Sequence, residues 1–249
     1  MKNVVETLLI IPCYNEARRF QPSNFIEFAD QHPECGFILV DDGSRDQTRA
    51  LLQQVAAARP NSCFALYLER NQGKAEAVRQ GMLAAREHQP AFAGFWDADM
   101  ATPLATAPEF IALLKQRPEL RLVMGSRIQL LGRRIERSVM RHYAGRCVAT
   151  LISLTLRLPV YDTQCGAKIF RCDPIWEQVF AQPFISSWLF DVEILARYEQ
   201  AQHKGLLPPL ENCVYEQPLA EWRDVGHSHL GWRDAPRQLW SLARIWWTY

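Results

Sequence analysis

Short apolar runs alternate with amphipathic segments through the first half of this chain of 249 residues. Five apolar runs predict strands, and the four segments between them predict helices. The strands are expected at residues 7–11, 35–40, 63–68, 91–96 and 120–124, and the helices at 24–31, 46–58, 73–88 and 105–116. Strand–helix units in series give parallel strands, because each helix returns the chain across one face of the sheet. The pattern therefore predicts an α/β fold with a mostly parallel sheet flanked by helices.

Composition excludes several other classes of protein. The net charge of +1 gives no general reason to expect binding to nucleic acid. The seven cysteines are scattered without a C-x-x-C pair, which argues against a zinc knuckle or a disulfide framework and favours a reducing cytosolic compartment. The longest uncharged apolar run, residues 147–156, would make a helix of about 15 Å, roughly half the thickness of a bilayer core.

Acidic turns follow two of the predicted strands. Asp97 and Asp99 come directly after Trp96, and the pair Asp41 and Asp42 closes an earlier strand. In parallel sheets, ligands bind at the carboxyl ends of the strands, where such turns converge. Carboxylate oxygens are the ligands that Mg²⁺ or Mn²⁺ takes together with phosphate oxygens. These turns therefore indicate a site for a metal-bound diphosphate, although each alone is also typical of a structural turn.

Two further polar turns would lie at the same edge. Residues 12–16, Pro-Cys-Tyr-Asn-Glu, follow the first strand, and residues 71–74, Asn-Gln-Gly-Lys, open the third helix. Backbone amides at a helix N-terminus attract anions, and Lys74 adds a positive charge. The sequence has no G-x-G-x-x-G after the first strand and no Walker motif, which argues against dinucleotide redox chemistry and P-loop chemistry.

The second half has a different character. Residues 127–157 contain seven arginines against one glutamate, a net charge of +6. Residues 232–249 contain four of the eight tryptophans, with arginines between them. Helices are predicted at residues 139–158 and 187–200, an edge strand at 166–170 and a strand at 210–217. Since no linker is visible between the halves, the chain is predicted to be one domain.

Taken in order, the four turns resemble those of glycosyltransferase family 2, which are inverting enzymes with the nucleotide-sugar-binding GT-A fold. The similar motifs in the first half are PCYNE, VDDGSRD, NQGK and DAD. In the second half they are GSR at residues 125–127, DTQCGAKIF at 162–170 and WLFDVE at 188–193. These strings are similar to the branch of dolichyl-phosphate glucosyltransferases and polyprenyl-phosphate glycosyltransferases, and the resemblance runs from about residue 7 to the C-terminus.

The resemblance implies a GT-A (Rossmann-like) α/β fold with a C-terminal helical elaboration facing the acceptor and the membrane. Residues 1–126 of the single domain 1–249 would bind the nucleotide sugar, and residues 127–249 would bind the acceptor. Residues expected to contact the nucleotide sugar are Pro12, Tyr14, Asn15, Glu16, Asp41, Asp42, Gly73, Lys74 and Asp97. Asp97 and Asp99 would hold Mg²⁺ or Mn²⁺, and Asp162, the third expected catalytic residue, would either position the acceptor or act as a base. Related mannosyltransferases place a metal-binding Gln where this chain has Ala101, so the ion would depend either more on water and phosphate or more on Asp99.

The implied reaction moves a hexose, glucose ahead of other sugars, from UDP-glucose rather than GDP-mannose to a polyprenyl or dolichyl phosphate. A phosphate monoester is largely ionised near neutral pH, so it needs little help from a base. It does need cations to offset repulsion from the donor diphosphate, and arginine binds phosphate oxygens bidentately. The residues expected to bind the acceptor phosphate are Arg127, Arg137, Ser138, Arg141 and Lys168.

A prenyl chain has to be reached at a bilayer surface. The run 147–156 and the Trp/Arg segment 232–249 are therefore predicted to be interfacial helices, with core packing as the alternative. The expected location is the cytoplasmic, inner face of a membrane, where the chain would be peripheral or held by a membrane-protein partner.

Two other functions fit the same motifs. A family 2 enzyme that acts on a glycan or small-molecule hydroxyl would need a carboxylate base, because a hydroxyl is weakly acidic, and Asp191 or Glu193 would serve. A nucleotide-sugar-binding protein without turnover is the second alternative, and the intact D-A-D sequence argues against it.

Overall fold

The computed structural model describes residues 5–136, 149–156, 158–224 and 235–249. Within residues 5–126 it has the predicted alternation of five strands and four helices. In chain order they are β1 (Thr7–Cys13), α1 (Pro22–Gln31), β2 (Cys35–Asp41), α2 (Thr48–Ala58), β3 (Cys63–Tyr67), α3 (Lys74–Arg86), β4 (Phe92–Trp96), α4 (Ala107–Gln116) and β5 (Leu122–Ser126). The prediction for this half is therefore confirmed, with differences of a few residues at the ends of elements.

The second half is described over several separate segments. Its elements are β6 (Arg134–Ile135), α5 (149–156), β7 (Ala167–Arg171), α6 (Pro174–Ala181), α7 (Phe190–His203), α8 (Leu210–Cys213), β8 (Val214–Pro218), β9 (Glu221–Trp222) and α9 (Ala235–Thr248). Of the predicted helix 139–158, residues 149–156 are helical, while 139–148 and 157 lie outside the described residues. The predicted strand 210–217 is wrong in its first part, because a helical turn beginning after Pro209 precedes β8.

Seven strands of the described chain form one sheet in the order β3-β2-β1-β4-β7-β5-β8. Neighbouring strands are parallel except at β7, which is antiparallel to both β4 and β5. The prediction of an edge strand at residues 166–170 is therefore wrong. β7 is internal, and its first four residues are buried. A short apolar run indicates a buried strand but not its neighbours, which are decided by contacts distant in sequence.

The core consists of two apolar clusters, one on each face of the sheet. Along β1, Leu8 and Ile10 belong to the first cluster, whereas Leu9 and Ile11 belong to the second. This alternation follows from the two-residue repeat of side chains along a strand. Helices α3, α5, α6, α7 and α9 contribute to the first cluster, and α1, α2 and α4 contribute to the second. The predicted arrangement, a mostly parallel sheet between layers of helices, is confirmed.

Helix α9 packs on the protein along only one side. Its buried residues Leu242 and Ile245 join the cluster that contains Ile152 and Leu156 of α5. Four large apolar side chains of α9 are exposed, namely Leu239, Trp240, Trp246 and Trp247, with Trp247 exposed by 85%. Within the described segments, no helix is both long and apolar enough to cross a membrane.

Candidate active site at the carboxyl edge of the sheet

The polar loops meet at the carboxyl edge of the sheet, next to β1. This strand lies between β2 and β4, and it extends past β4, which pairs with it only as far as Ile10. The chain adds β2 and β3 on one side of β1 and then β4 on the other, so the strand order changes direction here. Open α/β sheets bind ligands in the crevice at such a point. Pro12 lies inside β1 rather than ending it, beyond the last residue that pairs with β4. A missing N–H at this position therefore breaks no hydrogen bond to β4.

Asn15 and Glu16 connect the loop after β1 to the loop after β2. The Asn15 side chain accepts a hydrogen bond from the Arg45 backbone N–H at 2.9 Å, and the Asn15 backbone N–H donates to Ser44 Oγ. The Glu16 N–H donates to Thr48 Oγ1 at 2.7 Å. Asn15 has a φ of 54°, a left-handed conformation that asparagine tolerates better than most residues. Both residues therefore hold the loop after β1 against the loop after β2.

A cavity of about 380 Å³ lies between the loops that follow β1, β2 and β3. This volume is near the lower end of the range of about 300–1,000 Å³ for small-molecule sites. Tyr14 and Asp41, both predicted site residues, line it. Three arginines also line the cavity: Arg45, Arg49 and Arg70. The Arg49 guanidinium lies over the ring of Tyr67, 4.2 Å from its centre.

The sequence prediction missed Arg49, Tyr67 and Arg70 in this cavity. Tyr67 is the last residue of β3, so its position at the carboxyl end of a predicted strand was a usable signal. Arg49 lies in the first turn of α2, where an exposed basic residue gives no sign that it faces a ligand site.

The adjacent carboxylates of Asp41 and Asp42 have different partners. Asp41 accepts a hydrogen bond from the Ser44 N–H at 3.0 Å and lines the cavity. Asp42 accepts hydrogen bonds from the backbone N–H groups of Gln72 and Gly73, at 2.7 and 2.8 Å. The pKa of Asp42 is raised above its ordinary value, because the effect of burial exceeds the lowering by these two N–H groups. The backbone amides before α3, which were predicted to bind an anion, thus already donate to Asp42. Asp42 thereby joins the C-terminal end of β2 to the N-terminal end of α3.

Asp97 and Asp99 lie in a tightly held turn after β4. The Trp96 indole N–H donates to the Thr102 carbonyl at 2.7 Å and closes the turn. The Asp97 N–H donates to the Gly166 carbonyl, and Asp99 accepts a hydrogen bond from the Ala101 N–H. Burial raises the pKa of Asp99, and the nearby charge of Asp97 raises it further. The two carboxylates are therefore close enough to repel, which a bound cation would relieve.

Lys74, the first residue of α3, already supplies a cation to this turn. Its ammonium lies 2.5 Å from Asp97 Oδ1, and its side chain is 41% exposed. Partial loss of hydration lowers the pKa of Lys74, but the carboxylates of Asp97, Asp191 and Asp99 together raise it above its ordinary value. The structure therefore brings together three of the predicted site residues: Lys74, Asp97 and Asp99.

These residues suit a divalent ion of the Mg²⁺ type. The turn supplies two carboxylates, and the Lys74 ammonium occupies a cation position beside one of them. In the described part of the chain there is no group of three or more His, Cys, Asp or Glu side chains arranged to hold a metal. Mg²⁺ is commonly bound by one or two carboxylates together with water and substrate phosphates, so the donor set fits.

Gly166 leaves the space that the Asp97 carboxylate occupies. A Cβ atom built on Gly166 would lie 1.9 Å from Asp97 Oδ2. We expect Gly166→Ala to displace the Asp97 carboxylate and to weaken Mn²⁺ binding in the presence of nucleotide diphosphate at least about tenfold. Electron paramagnetic resonance titration with Mn²⁺ would measure this affinity.

Gly205→Ala is the control for this variant. Gly205 has a φ of 72°, and no atom of the described residues lies within 4 Å of its added Cβ, so the substitution strains the backbone without contacting the site. That strain costs roughly 1–2 kcal/mol. Equal loss of Mn²⁺ affinity in both variants would show that the effect is general instability.

Half-buried Arg127 and buried Asp162 form an ion pair at the end of β5. The guanidinium donates from Nε to Asp162 Oδ2 at 2.6 Å and from Nη2 to Oδ1 at 2.7 Å, and the Arg127 N–H also donates to Oδ2. Burial raises the pKa of Asp162, but the Arg127 charge and hydrogen bonds outweigh it and hold the pKa below its ordinary value. The sequence prediction assigned both residues to the site without foreseeing that they bind each other.

Lys168 and Asp191 form a second buried pair. The Lys168 ammonium lies 2.6 Å from Asp191 Oδ1 and also donates to the Cys165 carbonyl. Lys168 is fully buried, so its ammonium is committed to these partners in this arrangement. The pKa of Asp191 is raised above its ordinary value, because the effect of burial exceeds the lowering by the charges of Lys168 and Lys74. A direct contact of Lys168 with an acceptor, as predicted, would require this pair to open.

Glu193 and Arg197 hold the end of the described chain against α7. Glu193 accepts hydrogen bonds from the Ile185 N–H, from Arg197 and from the Tyr249 hydroxyl, at 2.7, 2.7 and 2.9 Å. The Arg197 Nε donates to the same hydroxyl at 3.0 Å. Glu193 is thus occupied by structural contacts. The other predicted acceptor residues, Arg137, Ser138 and Arg141, lie outside the described residues.

Comparison with known proteins identifies the family. The model of glycosyl transferase family 2 matches residues 8–178, which run from β1 into α6. The chain belongs to glycosyl transferase family 2. The matched region of this family 2 chain includes the cavity, the Asp97–Asp99 turn, Arg127 and Asp162, while α7 with Asp191 lies beyond it.

Several curated relatives share the same name. The chain is 32% identical over 257 aligned positions to the dolichyl-phosphate beta-glucosyltransferase of Drosophila melanogaster, covering 96% of this chain and 74% of that protein. It is 31% identical to the mouse protein of that name, covering 75% and 61%. A Trichomonas vaginalis relative is 29% identical, covering 91% and 66%. The chain spans about two thirds of the length of the curated relatives it matches.

Solved structures confirm the fold class. Glucosyl-3-phosphoglycerate synthase from Mycobacterium tuberculosis, in complex with Mn²⁺, UDP-glucose and phosphoglyceric acid, superposes with a TM-score of 0.67. The two proteins are 16% identical, and the match covers 96% of this chain and 79% of the other. A complex of the same synthase with Mg²⁺ and UDP gives a TM-score of 0.65. This likeness supports the predicted GT-A fold and leaves substrates to be argued from the site.

Proposed function

We propose that this chain transfers glucose from UDP-glucose to a polyprenyl phosphate, such as dolichyl phosphate, with inversion at the anomeric carbon. The observation that carries the proposal is the cluster of Lys74, Asp97 and Asp99 between a nucleoside-sized cavity and the Arg127–Asp162 pair. A donor diphosphate beside Asp97 would then have its base in the cavity and its sugar directed toward Arg127. The names of the relatives at about 30% identity favour the glucosyl donor and the lipid acceptor.

The cavity offers groups that would bind uracil. Uracil presents one N–H donor between two carbonyl acceptors, which a carboxylate and guanidinium groups can bind. Asp41 supplies a carboxylate acceptor, and Arg45, Arg49 and Arg70 supply donors around it. Tyr14, which is 42% exposed at the rim, is available to stack on the base.

We propose Mg²⁺ or Mn²⁺ as the cofactor, held by Asp97 and Asp99. The bound ion would offset negative charge on the departing nucleotide diphosphate. Lys74 adds a positive charge at the same place, and Gly166 keeps the Asp97 carboxylate in position. The Asp97–Asp99 turn is fixed by four hydrogen bonds of its own segment and of Gly166, so its carboxylates need little reordering when donor binds.

The acceptor half, residues 127–249, supplies cations and an apolar surface. Arg127 lies at the carboxyl end of β5, and we propose that Arg137, Ser138 and Arg141 join it around the acceptor phosphate. Helix α9 exposes Leu239 and three tryptophans beside the arginines at 237 and 244. Such a face suits the interface of an anionic membrane, where tryptophan lies at headgroup depth. We therefore propose a peripheral position at the cytoplasmic face of the membrane, alone or with a membrane-protein partner.

A panel of donors and acceptors tests the proposed reaction. The chain in detergent would receive UDP-glucose or GDP-mannose with Mg²⁺ or Mn²⁺, and either a short polyprenyl phosphate or a prenyl alcohol. We expect release of UDP from UDP-glucose only with the prenyl phosphate, and a glucosyl lipid with inverted configuration by nuclear magnetic resonance. Transfer to hydroxyl acceptors instead would favour the alternative with Asp191 as base. Binding of UDP-glucose without release under any acceptor would favour a non-catalytic protein.

The membrane face of α9 gives a separate prediction. Replacing Trp240, Trp246 and Trp247 by alanine is expected to weaken binding to anionic vesicles at least about tenfold, because each side chain loses apolar area at the interface. Flotation with vesicles of phosphatidylglycerol and phosphatidylcholine measures the binding. Leu206→Ala removes an apolar side chain of similar exposure (53%) after α7 and is the control. Unchanged flotation of the triple variant would contradict the assignment.

A further inference from the structure

Asp162 has no oxygen that is free of a structural partner. Its Oδ1 accepts from Arg127 Nη2, and its Oδ2 accepts from both Arg127 Nε and the Arg127 backbone N–H. The carboxylate therefore grips Arg127 by side chain and backbone together. A guanidinium held along its Nε edge keeps its other N–H groups as donors for a second anion.

Glu216 supports this pair from the neighbouring strand. It lies on β8, paired in register with Met124 of β5. Its two carboxylate oxygens accept the backbone N–H groups of Tyr161 and Asp162, each at 2.7 Å. Two charge-assisted hydrogen bonds to consecutive amides fix the backbone on which Asp162 is carried. Glu216 therefore positions Asp162, which positions Arg127.

The segment between Asp162 and β7 also borders the proposed donor site. Asp162 and Gly166 are four residues apart in the segment before β7, and Gly166 contacts the Asp97 carboxylate. Arg127 also packs over the ring of Trp222, 5.3 Å from its centre, which restrains the guanidinium on another side. A shift of Asp162 would therefore also move the Arg127 guanidinium, which lies beside the loop that borders the proposed donor diphosphate.

We propose that Asp162 and Glu216 are positioning residues that orient Arg127 toward the acceptor phosphate, and that Asp162 is not the proton acceptor. This inference rests on the proposed function, because only an acceptor that is already ionised can attack without a base. A hydroxyl acceptor would need a carboxylate that takes up its proton, whereas both oxygens of Asp162 already accept hydrogen bonds from Arg127.

Steady-state kinetics of two variants test the inference. In Asp162→Asn, the amide can accept only along one side, so the guanidinium loses one of its two side-chain bonds. We expect the KM for prenyl phosphate to rise at least about tenfold, with a smaller fall in kcat and an unchanged shape of the pH profile. Glu216→Gln should shift KM in the same direction by a smaller factor, because one of the two backbone N–H groups loses its acceptor.

A double-mutant cycle separates positioning from direct action. If Asp162 acts through Arg127, the effect of Asp162→Asn should largely vanish in an Arg127→Gln background, since the guanidinium it orients is gone. Independent, multiplying losses would overturn the inference. So would a collapse of kcat in Asp162→Asn with KM unchanged and the acidic limb of the pH profile lost.

Two controls make every outcome decisive. If Asp162→Asn does not fold, Glu216→Gln leaves the Arg127–Asp162 pair chemically intact and carries the test, and an unchanged KM in that variant would overturn the inference. If the unaltered chain releases no UDP with prenyl phosphate, the proposed function itself fails. A wild-type chain that is active on prenyl phosphate, combined with a base-like response of Asp162→Asn, refutes the inference alone.

Discussion

Asparagine in place of Asp97 is expected to lower the rate of glucosyl transfer by a factor of about a thousand or more. Asp97 is the residue at which Lys74, Gly166 and the proposed ion meet. Stabilisation of a leaving diphosphate by a bound ion contributes several kcal/mol, and about 4 kcal/mol corresponds to a thousandfold change in rate. Release of UDP from UDP-glucose in the presence of prenyl phosphate measures the effect.

Asp30→Asn provides the matched control. Asp30 is a surface carboxylate near the end of α1, paired with Arg59, and it is distant from the carboxyl edge of the sheet. It should keep the full rate. Asp99→Asn should also lose most activity, because it removes the second proposed metal ligand. A rate within tenfold of wild type in both Asp97→Asn and Asp99→Asn would rule out the proposed metal site.

Methionine in place of Lys74 should produce two opposite effects. Mn²⁺ alone should bind at least about tenfold more tightly, because the ammonium that competes for Asp97 Oδ1 is removed while the carboxylates remain. UDP-glucose should bind more weakly and turn over more slowly, because the donor diphosphate loses a cation. Electron paramagnetic resonance measures Mn²⁺ binding, and calorimetry measures binding of the nucleotide.

Lys74→Arg keeps the charge and should leave the affinity for Mn²⁺ alone close to that of wild type. An affinity for Mn²⁺ alone that is unchanged in Lys74→Met would contradict competition at Asp97. Weaker UDP-glucose binding with that result would still fit a lysine that contacts only the diphosphate.

The strand–helix alternation of the first half was readable from the sequence, because each element there is defined by its own periodicity. The place of β7 was not. Its apolar residues indicate burial, but its insertion between β4 and β5 depends on pairings such as Gly94 with Ile169, which no local pattern encodes. The same limit applies to α8, where a helical turn replaces the start of a predicted strand.

The site was predictable as a set of positions and not as a set of contacts. Asp41 and Asp97 follow strands that converge, so their nearness follows from topology. Arg127 and Asp162 were assigned to the site separately, and their pairing joins residues 35 positions apart. Asp42 was predicted to contact nucleotide, while in the structure its carboxylate binds the backbone before α3. Residue type indicates charge, and only the folded arrangement assigns the partner.

The buried contact between Lys168 and Asp191 constrains how this chain can diverge. Losing either charge alone would strand the other beside the core, a defect of several kcal/mol. Neutral replacements at the two positions are therefore expected to occur together in related sequences. Because one position is in β7 and the other in α7, substitutions in this strand and in this helix are expected to be correlated.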